Sequence, residues 1–136
     1  MYLYGCSMGG NVVTHYHLND SKNIPYSALA TYGCPIGFPE AAEITINSGF
    51  GLYDVALGFF MTKHFRTLLP DLEKHTSKET IEKYRDALYN KSWRVSSIDE
   101  HVIAPMFGFK DVKSYYDAIR IKGKLHMNTT TPIMHL

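Results

Sequence analysis

Gly5-Cys6-Ser7-Met8-Gly9 joins an apolar segment, Tyr2-Leu3-Tyr4, to a run with helical spacing, and this junction constrains the fold more than any other part of the chain. A strand that enters a helix through so few residues must turn sharply, and glycines on either side of the serine leave the backbone room to do so. Behind the turn, Met8, Val12 and Tyr16 recur at helical intervals with Val13 beside them. That spacing predicts a helix from Met8 to about Leu18 with its stripe against a sheet, and Gly9 and Gly10 would let it approach closely. Ser27 to Gly33 reads as the next strand, bounded by Asn23 and Pro25 before it and by Gly33-Cys34-Pro35 after it. Strand, helix and strand make a parallel βαβ unit, so the expected class is α/β with both faces of the sheet covered.

The middle of the chain is helical in pattern. Leu52, Val55, Ala56, Phe59, Phe60 and Lys63 follow the i, i+3, i+4, i+7 rule with one polar exception, and Pro70 supplies a stop. Thr76 with Glu79 has capping-box spacing ahead of Ile81, Tyr84 and Leu88; Ser97 with Glu100 introduces Ile98, Val102 and Ile103 before Pro105. Asp111 is placed to cap a last helix through Tyr115, Tyr116 and Ile119, and Ile133 to Leu136 reads as a strand that has just begun. Helical spacing predicts burial, so Phe50, Phe59, Phe60, Met61 and Phe65 are expected to form the core of this region rather than a lipid-binding face.

Composition fits one soluble globular domain: 136 residues, 45% hydrophobic, 20% charged, net charge +1. Without a basic excess or stripe, a nucleic-acid partner is not expected. Cys6 and Cys34 match neither a disulfide framework nor a zinc spacing, which favours a reducing compartment, cytoplasmic or membrane-associated within the cell. Met1 to Tyr4 lacks the features of a secretory signal. Leu52 to Met61, interrupted by Asp54 and Gly58, is shorter than the roughly 20 residues a bilayer requires. Any membrane anchor is therefore expected upstream of Met1, and the small basic excess between Lys63 and Arg94 is too weak to mark a membrane surface.

Several separated segments resemble the YheT-like, or embryogenesis-associated, branch of the α/β-hydrolase fold. Gly5-Cys6-Ser7-Met8-Gly9-Gly10-Asn11 is similar to its nucleophile elbow, G-x-S-[LM]-G-G-[NM]. Gly33-Cys34-Pro35 matches the exit from its sixth strand. Ser97-Ile98-Asp99-Glu100 resembles an E-F-D-x helix entry with Ile98 in place of phenylalanine. Ala104 to Phe109 and Asp111 to Tyr116 resemble the G-[FY] segment and the helix after it, and Thr131 to Leu136 the strand that precedes an acidic D-D-P segment. The resemblance implies a partial α/β-hydrolase fold: strands five to seven, with an elbow and βαβ core over 1–36, a helical cap over 37–104 and a return to the core over 105–136. It leaves strands one to four, the second oxyanion loop, the triad acid and the histidine outside this sequence.

The same resemblance implies Ser7 as nucleophile, the Met8 backbone N–H as an oxyanion donor, and Gly5 and Gly9 as the small residues of the elbow. The expected activity is carboxylic ester hydrolysis on medium- or long-chain acyl substrates, with no cofactor or metal and a small-molecule ester or lipid as partner. Acyl transfer to another acceptor is chemically equivalent at this stage, and a non-catalytic ligand- or partner-binding domain is the competing class. His15 and His17 lie on the helix behind the elbow and read as packing or surface residues. His64, His75 and His101 belong to the cap, His126 to a loop and His135 to the last strand, none where the fold places its base. Glu40 and Glu43 read as solvated carboxylates, and Cys6 as a packing residue beside the nucleophile. As an incomplete triad, this chain is expected to be inactive by itself, with an uncovered sheet edge beside the elbow strand.

Overall fold

The computed structural model describes residues 1–19, 26–91, 93–125 and 131–136; Asn23, Pro25 and His126 lie outside them. The βαβ unit forms as β1 (Tyr2–Cys6), α1 (Met8–Asn19) and β2 (Ala28–Tyr32), and β3 (Ile133–His135) adds a third parallel strand in the order β1-β2-β3. Tyr2 pairs with Ala28 and Cys6 with Tyr32, while Leu29 and Thr31 of β2 face Ile133 and His135. The fold is α/β with a parallel sheet, in agreement with a partial α/β-hydrolase fold. The helical middle comprises α2 (Glu40–Asn47), a 3-10 turn (Ser48–Gly51), α3 (Leu52–Leu72), α4 (Lys78–Asn90), α5 (Val95–Ile98), a π-helical turn (Asp99–Ile103), α6 (Ala104–Met106) and α7 (Val112–Ile119). The chain divides into two compact units, Met1–Ala41 with Tyr116–Leu136, and Ala42–Tyr115.

In the first unit, α1 turns the opposite face inward from the one its apolar spacing predicts. Gly10, Asn11, Thr14, His17 and Leu18 are buried, whereas Met8, Val12 and Tyr16 are exposed. The cause is close approach: a Cβ on Gly10 would lie 2.9 Å from Cys34 Cβ and 3.2 Å from Thr31 Cβ, so only small or internally bonded side chains fit there. Thr14 Oγ1 donates to the Gly10 carbonyl at 2.8 Å, and Asn11 Nδ2 donates to the carbonyls of Pro35 and Ile119 at 3.1 and 2.8 Å. These bonds make the polar seam tolerable in the interior. β1 and β3 are the edge strands of the described sheet, and β1 exposes Tyr2 and Tyr4.

The second unit repeats the inversion on a larger scale. α3 buries Asp54, Gly58, Thr62 and Leu69, and leaves Leu52, Tyr53, Val55, Leu57, Phe59 and Phe60 exposed. Phe50, in the preceding turn, is fully exposed, so the expected aromatic core does not form from Phe50, Phe59 and Phe60. The inner face is fixed by Asp54, whose carboxylate accepts from Arg94 Nη1 at 3.1 Å and from the Val95 N–H at 2.9 Å. Asp54 thereby caps α5 from 41 residues away, which displaces the cap expected from Ser97. The unit's apolar core comes from Leu69, Ile81, Tyr84, Leu88, Ile98, Val102, Ile103 and Ala104, as the spacing of α4 and the following turns predicts.

Local signals shift by small amounts. α3 runs through Pro70 to Leu72, because a proline so near the end forfeits one hydrogen bond and the helix has only two residues left to make. Ser77, not Thr76, caps α4: it is extended, its hydroxyl accepts from the Thr80 N–H at 3.3 Å, and Glu79 instead pairs with Lys83 at 2.8 Å. Asp111 caps α7 as expected, accepting from the Ser114 N–H at 2.7 Å. By length and composition, the 33-residue run Glu40–Leu72 is long and apolar enough to cross a membrane, which corrects the reading based on Leu52 to Met61 alone.

Candidate active site

Ser7 occupies the single residue between β1 and α1 with φ +51° and an exposed side chain. Few residues other than glycine adopt that backbone, which costs of order 1–3 kcal/mol and persists where surrounding bonds over-determine it. Three bonds do so here. The Ser7 N–H donates to the Tyr32 carbonyl at 2.9 Å, extending the β1–β2 pairing, and the Ser7 carbonyl accepts from the Gly10 and Asn11 N–H groups at 2.9 and 3.4 Å, opening α1. The hydroxyl is thus held at the end of a parallel strand and the start of a helix.

Gly5 is required by contact: a Cβ there would meet Gly9 O at 2.6 Å, Val13 Cγ2 at 2.6 Å and Gly10 Cα at 2.7 Å. Gly9 is not, because nothing lies within 4 Å of its would-be Cβ. The clash-avoiding role expected of Gly9 falls to Gly10. Met8 is the first residue of α1, and among the described residues its N–H has no backbone acceptor. Free N–H groups of a first helical turn suit a developing oxyanion.

Among the described residues none is hydrogen-bonded to the Ser7 hydroxyl. His15 Nε2 donates to the Ile119 carbonyl at 3.0 Å, a packing contact. His135 Nδ1 meets Thr31 Oγ1 at 2.6 Å within the sheet. Glu40 is not a free carboxylate: it pairs with Arg120 at 2.5 Å and Lys122 at 3.3 Å, and its own backbone N–H, with Lys122 and Arg120, holds its carboxyl below the usual range. Glu43, His64, His75 and His101 are exposed. Cys6 is exposed at the end of β1, and Cys34 is half-buried, its thiol pushed up by burial; both are free. No three metal-ligating side chains cluster among the described residues.

Of the packing and surface readings, His17 takes the first: it is fully buried, its Nδ1 is 2.9 Å from the Tyr26 hydroxyl, and its Nε2 has no partner among the described residues. Burial lowers its pKa, and that of His135, below the ordinary 6.5. The unfolded chain therefore binds protons first. Stability is full above about pH 6.5 and is lost as pH falls from there towards the folded-state values, at up to about 1.4 kcal/mol per pH unit for each histidine. Urea unfolding between pH 7.5 and pH 5, above the carboxylate range, is expected to show this slope, and His17→Phe to flatten it.

A parallel sheet whose first strand turns through Ser7 into a helix is consistent with a partial α/β-hydrolase fold. Comparisons with known proteins support the same superfamily. The chain is 29% identical over 119 residues to a protein of Saccharomyces cerevisiae named monoacylglycerol lipase, an alignment covering 85% of this chain and 25% of that relative. It is 23% identical over 137 residues to an abhydrolase domain-containing protein of Dictyostelium discoideum, covering 99% of this chain and 32% of the relative. The chain thus spans between 25% and 32% of the length of the curated relatives it matches. No family model matches it, and no solved structure matches it significantly.

Proposed function

We propose that the protein carrying this chain is a serine hydrolase of carboxylic esters. Ser7 Oγ attacks the ester carbonyl, the alcohol leaves with a proton, and water then releases the acyl group from the serine. The observation that carries this reading is the left-handed backbone of an exposed Ser7 between a parallel strand and a helix. In this reading the Met8 N–H, at the first position of α1, serves as one oxyanion donor. The resemblance to the YheT-like branch, and a relative named monoacylglycerol lipase, support medium- or long-chain acyl esters, glycerolipids included.

In this reading the base is supplied by the longer protein, as the resemblance to the YheT-like branch implies. This chain alone is expected to turn over esters negligibly; in subtilisin, loss of the histidine costs on the order of a millionfold. A fluorophosphonate with mass mapping tests the reading. The longer protein is expected to carry the label on Ser7, Ser7→Ala to abolish it, and the 136-residue chain to label weakly or not at all. A folded longer protein that resists labelling would replace the hydrolase with a ligand-binding domain.

A further inference from the structure

Asn11 sits in the first turn of α1, directly behind the elbow, and is 2% exposed. Its backbone N–H donates to the Ser7 carbonyl at 3.4 Å, beside that of Gly10 at 2.9 Å. Its side chain reaches the other way. Nδ2 donates one hydrogen to the Pro35 carbonyl at 3.1 Å and the other to the Ile119 carbonyl at 2.8 Å. Pro35 precedes the second unit in sequence and Ile119 follows it, and both belong to the first unit. These two stretches are joined to each other: the Ile121 and Lys122 N–H groups donate to the Ile36 carbonyl at 3.0 and 2.8 Å. One turn further along α1, His15 Nε2 donates to the same Ile119 carbonyl at 3.0 Å. A planar amide with both hydrogens committed to fixed backbone carbonyls leaves the helix little freedom to rotate about its axis or slide along it. The contact of Gly10 with Cys34 and Thr31 limits how close α1 lies, and the Asn11 bonds set its rotation and height.

We propose that Asn11 is the positioning residue of the elbow: its side-chain amide holds the first turn of α1 so that Ser7 keeps its left-handed backbone and the Met8 N–H stays aimed at the oxygen on which charge develops. The proposal rests on the reading of Ser7 as nucleophile. Oxyanion donors act over a narrow range of distance, and a displacement of about 1 Å costs up to about a hundredfold in rate. Buried as it is, Asn11 acts through the helix and not on the substrate.

The test compares Asn11→Leu, which keeps the approximate volume and loses both donors, with the parent sequence. In the longer protein, hydrolysis of a nitrophenyl ester by the folded variant is expected to show kcat and kcat/KM falling together, by about tenfold to a hundredfold, the pattern of an interaction lost in the transition state. A role in stability alone would leave both unchanged per folded molecule. In the 136-residue chain, amide hydrogen exchange at Gly10, whose N–H is bonded to Ser7 O, is expected to quicken about tenfold beyond any change at Leu29 in β2. Should Asn11→Leu fail to fold, Asn11→Ser, smaller and with one hydroxyl donor, is read by the same two measurements. Unchanged kcat in the folded variant, or exchange quickened no more at Gly10 than at Leu29, overturns the proposal and leaves the hydrolase standing. A parent protein that hydrolyses no ester and takes no fluorophosphonate, with exchange still quickened selectively at Gly10, removes the nucleophile reading and supports the hold of Asn11 on the turn.

Discussion

Gly58→Ala is expected to destabilise the second unit by about 3 kcal/mol or more, the upper end of what overpacking costs. A Cβ at this position would stand 2.4 Å from the Trp93 carbonyl oxygen and 2.7 Å from both the carbonyl carbon and Cα of Arg94. All three are backbone atoms, so no rotamer change relieves the contact. One turn away, Asp54 accepts from Arg94 Nη1 and the Val95 N–H, and a shift of α3 away from Trp93 would stretch both bonds around a buried carboxylate. The steric and electrostatic costs therefore fall on the same seam. Urea unfolding followed by Trp93 emission measures it, with Leu52→Ala, 70% exposed, as a control expected to stay within about 0.5 kcal/mol of the parent. If Gly58→Ala melts with the control, the packing of α3 against Trp93 and Arg94 is wrong.

The same seam shows where sequence reading stops. The βαβ unit, the last strand, the stripe of Ile81, Tyr84 and Leu88, and the Asp111 cap follow from local spacing, and each is present. The orientations of α1 and α3 do not follow. Periodicity says which residues share a face, but which face turns inward depends on partners distant in sequence. Thr31 and Cys34 select the glycine side of α1, and Arg94 and Val95 select the Asp54 side of α3. A signal existed in both cases: a glycine beside a polar side chain opposite the apolar stripe, Gly10 and Asn11 in one helix and Asp54 and Gly58 in the other. For the site, the turn and its serine were legible from Gly5 to Gly9. The buried hydrogen bonds of Asn11, which tie α1 to Pro35 and Ile119, required the fold.

Gly5→Ala is expected to cost about 3 kcal/mol and to remove the labelling of Ser7 in the longer protein, while Gly9→Ala leaves both within error or raises stability by up to about 1 kcal/mol. The two glycines stand symmetrically about Ser7 in the sequence, so the motif alone treats them alike. Their surroundings differ. A Cβ on Gly5 meets Gly9 O, Val13 Cγ2 and Gly10 Cα at 2.6 to 2.7 Å, and relieving those contacts means separating β1 from the first turn of α1. That separation would pull on the bonds from Ser7 O to the Gly10 and Asn11 N–H groups, which hold the serine in its left-handed conformation. At Gly9 the Cβ enters open space, and alanine reduces the entropy of the unfolded chain at a helical position. Thermal unfolding of each variant, paired with fluorophosphonate labelling, separates the two effects. Loss of label in Gly9→Ala with an unchanged melting temperature would mean that the open space above Gly9 is filled when substrate binds, so that the second glycine serves the ligand and the first serves the fold.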